Sequence, residues 1–247
     1  MDTRPECNKG LELLESQDQE IGCIERVIDD HFANRHIDVL DAGCGRKWQI
    51  KLQMPFTITG VDADQAALDK REDLDVALKE DIQTVDFPSN RFDLIYCSYV
   101  LEHVDGAEDL LSRFKAWLKP NGLLILRFPD KYTVFGFITR KTPHWVHVAY
   151  KRHLLKMQMA GLDGHGPYPT VYDEVVSLTG MRQFCLNENL QVVGEWGIDK
   201  SLPRRGRFIG LRKAMIRATH VLSLGKLDSS YSNLTFIIHK PCNETAV

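Results

Sequence analysis

Three acidic residues and two glycines carry the most specific chemistry in this sequence. Asp41, Gly43 and Gly45 stand in Val39-Leu40-Asp41-Ala42-Gly43-Cys44-Gly45, Asp62 closes Gly60-Val61-Asp62, and Asp81 precedes Ile82. Two glycines spaced by one residue after an apolar run let the backbone turn sharply and approach a ligand closely. Asp62 falls twenty-one residues after Asp41, where a carboxylate is placed to accept hydrogen bonds from a ribose diol. Asp81 beside Ile82 offers a polar group and an apolar wall, which suits an adenine amine and its ring face. The set therefore points to an adenosine-like nucleoside. A nicotinamide dinucleotide fits less well, because its G-x-G-x-x-G fingerprint needs a glycine at position 48, where Trp48 stands.

Proton transfer has four candidates, His103, His144, His147 and His153. The last three share a stretch with Trp145 and Tyr150, and Tyr168 and Tyr172 follow. These aromatics offer an apolar wall with hydroxyl handles for a ligand, or equally a means of packing the stretch against a sheet. His144 and His147 lie on one helical face, but no clear carboxylate accompanies them as a third ligand, and no metal is expected.

The elements that must position these groups alternate in type. Helical spacing marks Ile21 to Phe32, with Ile21, Ile24, Val27 and Ile28 on one face. Strands are expected at Ile37 to Asp41, Phe56 to Asp62, Leu74 to Leu78, Phe92 to Cys97, Leu123 to Phe128, Gln191 to Trp196 and Ser232 to His239. Between them, helices are expected through Leu68, over Ala107 to Leu118 and over Tyr172 to Asn187, with Pro120-Asn121-Gly122 as a stop. The pattern predicts an α/β, Rossmann-like, doubly wound sheet of seven strands in one domain over 1–247. Residues 1–35 form an N-terminal helical segment, 129–170 a helical cap insertion, and 201–226 a basic insertion. Both insertions follow strands, the side on which open α/β sheets bind ligands.

Composition narrows the function classes. The 247 residues carry a net charge of -3, so no global attraction to nucleic acid is expected. Six cysteines are scattered without a C-x-x-C pair, which suits a reducing, cytoplasmic setting. No apolar run is long enough to span a bilayer, and the first ten residues lack a secretory pattern. Within 201–226, Arg204, Arg205, Arg207, Arg212, Lys213, Arg217 and Lys226 meet no acid. That run is either a solvated face or a peripheral contact with a membrane or a carrier protein.

Taken together, the glycine-flanked Asp41, the acidic Asp62, Phe92-Asp93-Leu94-Ile95, Leu101-Glu102-His103-Val104 and Leu118-Lys119-Pro120-Asn121-Gly122-Leu123-Leu124 resemble class I S-adenosylmethionine-dependent methyltransferases. The likeness is to the branch of quinone and natural-product enzymes and covers Val39 to Phe128. One departure is Lys47, where the family often has a third glycine. The resemblance implies S-adenosylmethionine as cofactor, released as S-adenosylhomocysteine. Asp41, Gly43 and Gly45 would line its methionine part, Asp62 its ribose, and Asp81 with Ile82 its adenine. Ser98 and Tyr99 would lie near the sulfonium. The acceptor implied is a small molecule, favoured as a hydroxyl, with His103, His144 or His147 as base and Trp145, Tyr150 and Tyr168 around it. Cys97-Ser98-Tyr99-Val100 replaces the N/D-P-P-Y/F box of enzymes that methylate base amines or glutamine amides. The alternatives are a methyltransferase-like protein catalysing cyclisation or elimination, and a cofactor-binding subunit. A monomer and a homodimer both remain open.

Overall fold

A computed structural model describes residues 11–33, 35–154, 156, 158, 159, 161, 168–200 and 209–242. Among these, eight strands form one sheet: β1 (Glu12–Leu14), β2 (Ile37–Ala42), β3 (Phe56–Val61), β4 (Val76–Leu78), β5 (Phe92–Ser98), β6 (Leu118–Pro129), β7 (Gln191–Ile198) and β8 (Asn233–His239). Their order is β1-β7-β8-β6-β5-β2-β3-β4. β8 runs antiparallel to β6 and β7, and the other pairings are parallel. The expected α/β, doubly wound architecture is present, as a mixed sheet whose final strand is antiparallel, but with eight strands in place of seven. The added strand is β1, whose three residues pair with Trp196, Gly197 and Ile198. Three residues hold no readable alternation, and β1 exists because β7 offers it an edge.

Helices α1 (Gln17–Phe32), α2 (Gln65–Leu68), α3 (Ala107–Trp117), α4 (Val134–Lys141), α5 (His144–Ala149), α6 (Leu178–Asn187) and α7 (Ile209–Leu222) connect the strands. β2 and β5 are buried almost throughout, as parallel strands covered on both faces must be. Neighbouring residues of one strand point to opposite layers. Val39 and Leu94 pack with Ile24, Ile28 and Phe32 of α1, whereas Leu40 and Ile95 pack with Leu110 and Phe114 of α3 and Phe184 of α6. This fixes the sheet between two helical layers and aligns the carboxyl ends of β2, β3, β5, β6 and β7 along one edge.

Local chemistry shifts several expected boundaries. Ser16 caps α1 by accepting the Gln19 N–H at 3.1 Å, one turn before the expected start. Pro120-Asn121-Gly122 lies inside β6, with Asn121 at φ 62, and a register shift between Phe92 and Leu94 absorbs the extra residues. Tyr172 sits at φ 60 and outside any helix; α6 starts only after Ser177, whose side chain accepts from Gly180 N–H. The expected cap contains α4, α5 and a π-turn, Tyr150–Leu154. Of the basic stretch, 201–208, with Arg204, Arg205 and Arg207, lie outside the described residues. α7 follows and leaves Met215, Val221 and Leu222 exposed. No helix among the described residues is long and apolar enough to cross a membrane.

Candidate active site at the carboxyl edge of the sheet

The β2 chain leaves the sheet through a glycine turn pinned to the next strand. Gly43 N–H and Cys44 N–H both donate to the Val61 carbonyl, at 2.9 and 3.0 Å. Gly43 has φ +70, and a Cβ there would lie 2.3 Å from Val100 Cγ2, so this position takes no side chain. Gly45 also has positive φ, but a Cβ there would meet nothing within 4 Å. Its outer face is open as far as the described residues go.

Asp41 lies beneath this turn. It is 3% exposed and receives Arg71 Nη1–H at 2.8 Å, while the same nitrogen donates to Cys44 O at 2.6 Å. Arg71 is itself fixed by two bonds to Asp73. Burial pushes the Asp41 carboxyl up, to about 7, against the pull of Arg71. Asp41 thus shapes the glycine turn through Arg71 from below.

Asp62, just past β3, is half-buried and holds two backbone donors. Its Oδ2 accepts from Gly45 N–H and its Oδ1 from Asp64 N–H, each at 2.8 Å. A carboxylate oxygen accepts more than one hydrogen bond, so diol recognition remains available. Asp81 is exposed and accepts from Gln83 N–H at 2.9 Å, and Ile82 is 7% exposed with its side chain turned into the core.

The tip of β5 brings together the next group. Ser98 Oγ lies 3.4 Å from Arg127 Nη1, and Tyr99 follows at φ 60. A 3₁₀ turn, Leu101–His103, then buries Glu102, whose Oε2 has no hydrogen-bond partner among the described residues. Burial lifts the Glu102 carboxyl to about 8. His103 Nε2 is 4.0 Å from Glu102 Oε1, and His103 Nδ1 is 2.6 Å from Pro169 O. The Tyr168 ring packs edge-on against His103 at 5.8 Å. Partial burial, with the Asp64 and Asp62 carboxylates, holds the Tyr168 phenol above the usual tyrosine range.

Behind Tyr99 lies a buried charged cluster. Arg127 of β6 makes a bidentate pair with Glu20 of α1, at 3.0 and 2.7 Å, and also donates to Tyr96 Oη and Gln49 Oε1. Glu20 further accepts from Thr235 Oγ1 at 2.6 Å and pairs with Lys200 Nζ at 2.9 Å. Lys200, just past β7, donates to Tyr99 Oη at 2.6 Å.

The cap places its candidates elsewhere. His147 Nε2 lies 3.1 and 3.2 Å from the Thr139 and Thr142 carbonyls, so its ring N–H satisfies the end of α4. His144 is exposed, Trp145 is 70% exposed and Tyr150 is exposed. Of the expected acceptor-side residues, the structure sets Tyr168 against His103, on the turn that follows Ser98 and Tyr99, and puts His144, His147, Trp145 and Tyr150 on the cap helices.

The model for the methyltransferase domain matches residues 17–173, which include the tips of β2, β3, β4, β5 and β6 but not that of β7. The chain belongs to the methyltransferase domain family. The chain is 30% identical over 126 residues to a ubiquinone biosynthesis O-methyltransferase of Coxiella burnetii, covering 45% of this chain and 54% of that protein. It is 32% identical over 110 residues to a tRNA U34 carboxymethyltransferase of Nautilia profundicola, covering 40% and 37%. The chain spans about half the length, or less, of these curated relatives. Its fold superposes on geranyl diphosphate C-methyltransferase from Streptomyces coelicolor with TM-score 0.53 and 14% identity, over 89% of this chain and 79% of that one. The family match, with this likeness of fold, gives the chain a class I S-adenosylmethionine-dependent methyltransferase domain.

Sequence reasoning missed Arg71, Glu20, Arg127, Lys200 and Glu102. Glu102 had a signal, being the middle of Leu101-Glu102-His103, and Glu20 had another, an acid within the buried stripe Glu20, Ile24, Ile28 and Phe32. For Arg71 and Lys200 the chain offers none, because the partners that bring them to the site, Asp41 for Arg71 and Glu20 and Tyr99 for Lys200, are remote in sequence.

Proposed function

We propose that this methyltransferase transfers a methyl group from S-adenosylmethionine to a hydroxyl of a small-molecule acceptor. When bound, the cofactor supplies an electrophilic methyl on a positively charged sulfur. The residues fit it on two counts. Gly45 turns with nothing within 4 Å of its Cβ position, and the half-buried Asp62 stands beside that opening. Asp62 would hold the ribose hydroxyls and Asp81 with Ile82 the adenine. The turn carrying Gly43 and Gly45, shaped by Asp41, would hold the methionine part. Ser98 and Tyr99 would border the methyl.

The observation that carries an oxygen acceptor is the pairing of His103 with Glu102. A carbonyl only accepts, so His103 Nδ1 bears the hydrogen directed at Pro169 O, and Nε2 of the neutral ring is a base. Nε2 is placed to take the hydroxyl proton. Positive charge arriving there favours ionisation of Glu102 at 4.0 Å, and the two groups then share the cost of the proton's transfer. The O-methylation that names the Coxiella relative agrees with this reading.

The test is formation of S-adenosylhomocysteine together with a methylated product from a panel of phenols and other hydroxyl compounds. His103→Ala should lower turnover by about 10²–10⁴, a general-base effect, with cofactor affinity within twofold of the parent. Unchanged turnover would remove His103 from the mechanism. Cofactor consumption without a methylated product, or cofactor binding without turnover of any acceptor, would favour non-methylating chemistry or a cofactor-binding subunit.

A further inference from the structure

Among the described residues, the cluster behind Tyr99 holds more positive than negative charge. Arg127 and Lys200 bring two cations, and Glu20 is the carboxylate that both of them contact. Glu20 is already committed to four donors: two from Arg127, one from Thr235 and one from Lys200. The remaining partners of Arg127 are the neutral side chains of Tyr96, Gln49 and Ser98. Arg127 is sealed, with 0% of its side chain exposed, whereas Lys200 keeps 23%. The surplus charge therefore surfaces at one place, the Lys200 ammonium, 2.6 Å from Tyr99 Oη at the tip of β5. Burial of a cation in excess is unfavourable unless an anion completes it.

We propose that Lys200, with Tyr99 beside it, binds a singly charged organic anion, a carboxylate on the same acceptor whose hydroxyl is methylated. The surplus is one charge, which a carboxylate cancels and a dianionic phosphate would exceed. Lys200 Nζ has three donors, and Glu20 and Tyr99 use two of them. The acceptor would then be a hydroxy acid, held by its carboxylate at the tips of β5 and β7 with its hydroxyl directed to His103. This inference rests on the proposed function, since it places the acceptor against Tyr99.

The experiment uses the full chain saturated with S-adenosylhomocysteine and two probes of one shape, benzoate and neutral benzamide, titrated by ligand-observed NMR. Benzoate should bind at least tenfold more tightly than benzamide. Lys200→Met should bring the two within twofold of each other, and Lys200→Arg should restore most of the preference. S-adenosylhomocysteine affinity, measured on each variant, reports that the fold and the cofactor site persist. Equal binding of the two probes by the parent protein overturns the proposal without needing any variant, as does a preference that survives in Lys200→Met. Failure of S-adenosylhomocysteine to bind the parent chain overturns instead the proposed function, so the two ideas fail separately.

Discussion

Glu20 and Arg127 stand 107 residues apart in the chain and meet through two hydrogen bonds in the interior, where their side chains are 1% and 0% exposed. This pair ties α1, which precedes the sheet, to the tip of β6 under the acceptor side. Breaking a buried pair from one side strands the other charge. Arg127→Met should therefore lower stability by about 3–5 kcal/mol in urea unfolding. The double variant Glu20→Leu with Arg127→Met should be more stable than Arg127→Met alone. Simple addition of two losses would show that the residues do not act as a pair.

Asp62 should matter to the cofactor more than any other carboxylate of the glycine turn. Asp62→Ala removes the acceptor for ribose hydroxyls and releases Gly45 N–H. The expected loss is about 2 kcal/mol, roughly 30-fold in the dissociation constant for S-adenosylhomocysteine. Calorimetry decides it, and an unchanged constant would remove Asp62 from the site.

The two glycines of the turn should respond differently to alanine. At Gly43 the new methyl meets Val100 Cγ2 in a backbone at φ +70, and overpacking adds to strain for about 3 kcal/mol. At Gly45 the space is open, leaving backbone strain of about 1 kcal/mol. Val100→Ala should recover part of the Gly43→Ala loss and none of the Gly45→Ala loss. Thermal unfolding of the four variants checks the ranking.

Glu102 predicts a pH dependence. Its carboxyl is raised by burial from 4.5 to about 8 in the folded chain, so the folded state binds a proton more tightly than the unfolded state. Its contribution to stability is fully present below about 4.5 and is lost as pH rises to about 8. Glu102→Gln stays neutral throughout. The variant should gain on the parent across that window, by roughly 4 kcal/mol at the upper end, and the difference should then level off. A difference independent of pH from 5 to 8 would mean that Glu102 is ionised in the folded protein.

The cap histidine should act on stability alone. His147 donates to the Thr139 and Thr142 carbonyls at the end of α4, so His147→Ala should lower the melting temperature by a few degrees, a loss of about 1 kcal/mol. Turnover should stay within twofold. A large fall in turnover with unchanged melting would return His147 to the catalytic list.

Residue pattern alone fixed the sheet's alternation, the glycine turn after Asp41 and the placing of Asp62 and Asp81 beyond their strands. Those features are local: an apolar run of four to seven residues, a turn that only glycine allows, and an acid at a strand end are all written in adjacent positions. Tertiary structure decided what each acid does. Asp41 was legible as an acid near the turn, but only folding brings Arg71 from thirty residues away and makes it a buried support. His103 and His147 look alike in sequence. One meets Glu102 and Pro169 at the tip of β5, and the other closes a helix end. The three-residue β1 and the Glu20–Arg127–Lys200 cluster are likewise invisible until distant segments pack. Burial and charge pairing are sums over neighbours in space, and sequence order records only neighbours along the chain.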